Sequence, residues 1–460
     1  MTSAIQRRRV LPVLFFGVLM AALDIAIVAP ALPAIQEHFL IDERGASWVI
    51  NAFVVFNLIG LSLMTRLADV FGRKATYIAD VLLFAVGSGI VALAPSFQIL
   101  IVGRCIQGLA ASGIFPVASA VVGDVYPYEK RGRVLGILGA VFGLAFLIGP
   151  IIGGVLLRYG WPLLFLINIP FAILIALVAL RMLPHGATGR RQPVDVWGMV
   201  LLGLALASLA FGLNRIETDA FAASIISTRV WPFLVVSAIL TFLFVRVEKT
   251  TPVPLIRLAL LKNSQVRLAA VFAMGAGLTE AAFLFLSGFA IVGLGVEKTQ
   301  ASFMLVPLVL GVMIGSPLAG RLLDSVGSRA IIISGSLLVS VGMAILGFME
   351  PASVSYYSGS VLVGIGLSGL LGSSISYILL NEAKVQERTV AQGISTLFIS
   401  LGQLVGSALI GSTIASYTSA VHGYQRSFIL LTVVGIVLAF AALGLRGKNE
   451  EVGSGADSPA

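Results

Sequence analysis

The sequence predicts an all-α polytopic membrane protein, and three observations carry that prediction. Of 460 residues, 58% are hydrophobic and only 11% are charged, less than half the roughly 25% usual in soluble domains. The apolar residues gather into fourteen runs, each near the 20 or so residues that carry a helix across a hydrocarbon core of roughly 30 Å. The alternating ten-residue pattern of a membrane barrel does not occur in these runs, so they read as helices.

In chain order the runs lie near 10–34, 46–67, 75–95, 98–122, 133–157, 161–182 and 194–214, then 230–247, 266–292, 300–322, 330–349, 354–380, 390–415 and 427–445. The first follows Arg7, Arg8 and Arg9 and looks like the opening of a leader. It is about 25 residues long, carries Asp24 and lacks a small-residue cleavage pattern, so a retained helix is expected. The eighth is the shortest. After Lys448 the chain turns short and polar, and residues 447–460 are expected to form a disordered tail.

Charge orients the spans. Clusters such as Arg7–Arg9, Arg66/Arg73/Lys74, Lys130/Arg131/Arg133 and Arg246/Lys249/Arg257/Lys262/Arg267 fall on one side. The other side holds only Arg44, Arg158, Arg215, Arg229, Lys298 and Arg426. A bias of roughly four to one predicts a cytoplasmic location for the rich side, and an even span count puts both termini there. The net charge of +9 is dealt out in twos and threes between apolar runs, which argues against a nucleic-acid partner. One cysteine, Cys105, excludes an intramolecular disulfide framework.

An internal repeat organises the spans. After the second span the chain reads Arg66-Leu-Ala-Asp69-Val-Phe-Gly72-Arg73-Lys74, and after the tenth Gly320-Arg321-Leu-Leu-Asp324-Ser-Val-Gly327-Ser-Arg329. Asp69, Gly72 and Lys74 match Asp324, Gly327 and Arg329 at one common offset, and Asp124…Arg131 is echoed by Glu382…Arg388. Both copies fall on one side of the membrane, so the repeat is parallel. Two parallel six-helix halves related by an axis along the membrane normal form the transporter architecture of the major facilitator type. The expected organisation is a first bundle at 1–190, two additional helices at 191–262, and a second bundle at 263–446.

Specific motifs strengthen that resemblance. The loop with Asp69, Gly72, Arg73 and Lys74 resembles the major facilitator signature G-x-L-A-D-r-x-G-r-k, with Thr65 in place of its first Gly. Gly139…Gly143…Gly149-Pro150-Ile-Ile-Gly153-Gly154 is similar to the antiporter signature of the fifth helix, and Arg104-Cys-Ile-Gln107-Gly108 to the R-x-x-Q-G pattern of the fourth. Leu23-Asp24…Leu32-Pro33 resembles the first-helix signature of the fourteen-helix drug:proton antiporter family, with Ala29 and Pro30 departing from it. Phe165-Leu-Ile-Asn168-Ile-Pro170, Asp195-x-x-Gly198 and Pro252-Val-Pro254-Leu-Ile-Arg257-Leu add further matches. The resemblance implies a gate latch at the Asp69 loop, joined by Asp124 and by Arg131 or Arg133, and a leak-limiting seal at Gly149–Gly154.

The residues themselves suggest chemistry. Asp24 lies about 21 Å into its helix, where an Asp costs on the order of 3 kcal/mol. Such a group faces the bundle interior, and because desolvation disfavours its charged form it suits proton coupling. The alternative is a side-chain bond that only fixes packing. Glu280, near the middle of the ninth span, occupies the corresponding helix of the second half, and two such carboxylates could divide cation binding from proton carriage. Its alternative is a single interhelical bond or exposure to a wet cleft. Arg104, roughly 9 Å from its span's end, can reach Asp24 or snorkel to headgroups, with Gln107 one turn deeper. Asp80, read as one turn from the membrane surface, is expected to be solvated there. Phe53, Phe56, Phe115, Phe142, Phe283 and Tyr377 fall on helices expected to line a cavity suited to lipophilic cations.

Together these readings predict a monomeric, proton-coupled exporter of lipophilic, cationic drugs or related amphiphiles, with protons and lipids as its other partners, and the resemblance implies a bacterial cytoplasmic membrane. The proton gradient supplies the energy and no cofactor is required. The rival is a lipid or lipid-linked molecule transporter of the same fold. Neither a G-x-x-x-x-G-K-[ST] nor an H-E-x-x-H string occurs, and His38, His185 and His422 lie far apart, which disfavours an ATPase or a metallohydrolase.

Overall fold

A computed structural model describes residues 4–126, 128–184, 195–217, 219–251, 255, 258–371, 373–382 and 388–448. The expected tail beyond Lys448 and the linker at 185–194 lie outside the described residues, as do the side chains of Asp69, Arg131, Asp324 and Phe142.

Fourteen long helical segments follow one another among the described residues, with a short helix, Phe221–Ile225, between the seventh and eighth. The first seven are α1 (Ala4–Phe39), α2 (Glu43–Phe71), α3 (Arg73–Ala92), α4 (Phe97–Val125), α5 (Tyr128–Leu157), α6 (Pro162–Leu166 and Asn168–Met182) and α7 (Val196–Leu213). The others are α8 (Trp231–Thr250), α9 (Ser264–Ala281 and Phe283–Leu294), α10 (Lys298–Phe303 and Val306–Val326), α11 (Ser328–Phe348), α12 (Ser353–Leu371 and Ser373–Glu382), α13 (Arg388–Ser416) and α14 (Ala420–Ala441). Among the described residues thirteen of these are long and apolar enough to span a membrane, and α5, 30 residues long, is the remaining one. The helix starts follow their caps: Asp42, Asp195 and Asn263 accept backbone N–H groups at 2.9, 2.8 and 2.8 Å, which satisfies donors a helix N-terminus otherwise leaves open. The interruptions at Ile167 and Ala282 were not predicted, because both residues keep right-handed helical dihedrals and carry no Pro or Gly signal.

The repeat is visible in the backbone. Gly72 and Gly327 have φ of 87° and 83° and each sits directly before a helix, α3 or α11. A side chain is strained at such φ, so both turns depend on glycine. In the first half α4 packs on α2 and α3, and α1 packs on α5 and α6. In the second half α12 packs on α10 and α11, and α13 on α9 and α14. The halves meet through α2 with α13, α1 with α9 and α5 with α10, and α7 packs on α8 and against both α2 and α13.

Two faces follow from the polar contacts. At the face bearing the chain ends, Arg73 pairs with Asp124, Lys74 donates to the Leu180 carbonyl at 2.6 Å, and Glu382 joins Arg446 and Asn263. At the opposite face Arg44 donates to Ser416 at 3.3 Å and Ser407 to Asn51 at 2.5 Å, and Lys298 pairs with Glu37. These last contacts cross between the halves and hold them together on that side.

Candidate transport site

Between the halves lies a cavity of about 510 Å³, lined by α1, α2, α4, α5, α9, α10, α12 and α13. Its walls are mostly Ala, Val, Ile, Leu and Phe, with Asn57, Ser112, Thr396, Ser400 and Gln403 as polar points and Arg104 and Glu280 as the charged ones. Of the aromatics on the helices expected to line it, Phe53, Phe115 and Phe283 face the cavity. Phe56 is 37% exposed away from the lining, and Tyr377 packs on Ala319, Leu323 and Ile331.

The first carboxylate is sealed behind one wall. Asp24 is 0% and Arg104 2% exposed, and the guanidinium donates to Asp24 Oδ2 at 2.6 Å. Gln107 and Asn168 donate to Asp24 Oδ1 at 2.9 and 3.1 Å. Arg104 is held in turn by the Val49 carbonyl at 2.9 Å and the Gln107 carbonyl at 2.8 Å, and lies 4.5 Å over the Phe53 ring. Four elements converge here: α1, α4 and α6 directly, and α3 through Ser88, which accepts from both amides at 2.8 and 3.2 Å. A buried charge is tolerable only when paired and fully hydrogen-bonded. This burial rules out snorkelling for Arg104.

The second carboxylate opens on the cavity. Glu280 sits one residue before the end of the first segment of α9, and its carboxyl faces the Gln403 amide of α13. No cationic side chain of the described residues pairs with it. Sequence reasoning found Glu280 by its charge but passed over Gln403 and Asn57, because neutral polar residues in apolar helices carry little signal.

Asp80 corrects an expectation. The helix begins at Arg73, two turns earlier, and Asp80 is 1% exposed rather than solvated; its Oδ2 has no hydrogen-bond partner. Its carboxyl fills the notch at Gly113, where a Cβ would stand 2.0 Å from Oδ2.

The remaining motif residues fall in two places. At Gly149 and Gly153 a Cβ would come within 2.5 Å of Ala26 and 2.6 Å of Pro30, while the Pro150 carbonyl accepts from Ser302 at 2.7 Å and Gly154 lies against the Phe303 ring. The motif therefore lies where α1, α5 and α10 meet, on the closed side. At the opposite end Arg73 pairs with Asp124 inside the first half.

A sequence model of the Major Facilitator Superfamily matches residues 14–407 and, in a second alignment, 268–459. The chain belongs to that superfamily. It is a multi-pass membrane transporter, not an enzyme. This transporter is 30% identical over 415 residues to the Multidrug resistance protein Stp of Mycobacterium tuberculosis (strain CDC 1551 / Oshkosh), covering 88% of this chain and 75% of the relative. It is 29% identical over 412 residues to the Tetracenomycin C resistance and export protein of Streptomyces glaucescens, covering 87% and 74%. Among solved structures, a D-xylose-proton symporter matches with a TM-score of 0.70 at 14% identity, covering 98% of this chain and 99% of that one. An inward-facing bacterial homologue of the human lysosomal transporter Spinster matches at 0.69 and 16%, covering the whole of both chains. At such identities the solved structures speak to the fold alone.

Proposed function

We propose that this transporter exports lipophilic monocations in exchange for protons. The observation that carries the reading is the cavity: an apolar chamber whose one uncompensated charge is the Glu280 carboxylate. Apolar walls reward a lipophilic body, a desolvated carboxylate rewards a positive centre, and Phe53, Phe115 and Phe283 add ring faces. The asymmetry of Lys and Arg supports cytoplasmic termini. On that orientation the contacts between the halves close the outer side, and the chamber loads from the cytoplasm.

Asp24 is the proton carrier in this reading. Its pairing with Arg104 gives a proton something to displace, and Arg104 of the pair lines the chamber. Protons entering from outside would protonate Asp24 and Glu280, weaken cation binding and release the substrate outward. The names of two relatives, a multidrug resistance protein and a tetracenomycin C resistance and export protein, favour the same direction. Transport of an anionic lipid would need a cation free for its phosphate, whereas Arg104 is committed to Asp24.

The test uses inside-out vesicles energised to carry a proton gradient. Adding a lipophilic cationic dye should discharge the gradient with the wild type and not with Asp24→Asn. Equal discharge by both proteins removes Asp24 from the proton path, and no discharge by any dye turns the assignment towards lipid.

A further inference from the structure

Asp24 Oδ1, the Gln107 amide, Ser88 Oγ and the Asn168 amide form a closed ring of four hydrogen bonds, at 2.9, 2.8, 3.2 and 3.1 Å. Each amide nitrogen spends one hydrogen on the carboxylate and the other on the hydroxyl oxygen, so neither has a donor to spare. The orientation of Gln107 follows from Arg104, which donates to its carbonyl. The three non-acidic members carry no charge, come from α3, α4 and α6, and are at most 3% exposed.

We propose that Ser88 and Asn168 are positioning residues for Asp24: the neutral ring ties up one carboxylate oxygen, so that a proton and Arg104 must compete for the other. This rests on the reading of Asp24 as the proton carrier. Oδ1 already accepts two hydrogen bonds, and a proton arriving there would meet two N–H groups pointing at it. Oδ2 has Arg104 as its partner. A proton on Oδ2 cancels the charge that holds the guanidinium, and Arg104 also lines the cavity. The ring thus converts protonation into movement of a charge at the substrate chamber.

The charged surroundings of Asp24 are sparse. From α4 it faces Arg104, from α3 and α6 neutral Ser88 and Asn168, from α5 Gly149 packs against Ala26, and from α9 Glu280 stands on the cavity wall.

The experiment measures dye-driven proton flux against pH in proteoliposomes for the wild type, Asn168→Ala, Ser88→Ala, Ser88→Thr and Asp24→Asn. Asn168→Ala should move the pH profile upward by about one unit, the loss of one hydrogen bond to a charged group. Ser88→Ala should move it the same way by less, and Ser88→Thr, which keeps the hydroxyl, should stay with the wild type. Thermal unfolding separates positioning from packing: variants that lose stability while their profiles stay at the wild-type pH overturn the proposal. Unmoved profiles combined with loss of coupling in Asp24→Asn overturn the positioning role and leave Asp24 as the carrier. Coupling that survives in Asp24→Asn overturns the reading beneath it. If Asn168→Ala does not fold, Ser88→Ala, which removes a single oxygen, decides the question.

Discussion

The two halves carry their membrane carboxylates on corresponding helices and treat them in opposite ways. Asp24 is buried, ion-paired and hydrogen-bonded on both oxygens, while Glu280 looks into the chamber with Gln403 beside it. A common position in the repeat therefore does not impose a common environment. What differs is the supporting set: α4 offers Arg104 and Gln107 to the first half, whereas the chamber side of α13 offers Glu280 a neutral amide. On the function proposed above, one acid trades a proton against an internal cation and the other against the substrate cation in the chamber.

The largest effect should come from breaking the internal pair on one side. Arg104→Gln leaves Asp24 without its cation, and removing one member of a buried pair costs about 3–5 kcal/mol. Thermal unfolding in detergent should show that loss, and the double variant Arg104→Gln/Asp24→Asn should recover most of it without recovering proton coupling. A double variant as unstable as the single would mean that Arg104 serves mainly through its contacts with Val49 and Phe53.

Glu280→Gln should do the reverse. Stability should change by less than about 1 kcal/mol, while affinity for a lipophilic cation, read by dye fluorescence, should fall about ten- to hundredfold as a charge-assisted contact is lost. Gln403→Leu removes only the neutral neighbour, and an affinity change of about threefold is expected. The smallest response belongs to Glu37→Gln. Its pairing with Lys298 is exposed, and such pairs contribute about 0–1 kcal/mol, so its melting temperature should stay close to that of the wild type. A large loss there would mean that charge pairing rather than burial sets these effects.

The spans were legible because hydropathy and length settle them, and each predicted run corresponds to one helical segment. Asp24, Arg104 and Glu280 were legible for a related reason: an ionised group in an apolar run is costly enough to need an explanation. Asn168 drew notice only through a motif, and Ser88 drew none, since a serine can bond its own helix and its presence in a span signals nothing. Asp80 was misread because depth was counted from an uncertain span end near 75, whereas the helix begins at Arg73, two turns before Asp80. Its tolerance depends on a notch in another helix, which a single sequence does not display. The break at Ala282 beside Glu280 was invisible for want of a local signal.

On the closed side, small hydroxyls do much of the joining: Ser287 donates to the Ala29 carbonyl at 2.8 Å, Ser302 to that of Pro150 at 2.7 Å, and Ser407 to Asn51 at 2.5 Å. Each such bond is worth about 1 kcal/mol net, and water can take either partner's place when the helices part. A door held by many weak catches opens by small successive steps, each refunded by solvent. A carrier that must visit both sides of the membrane in every cycle gains from such a closure, because neither resting position becomes a trap and turnover is spared a single high barrier.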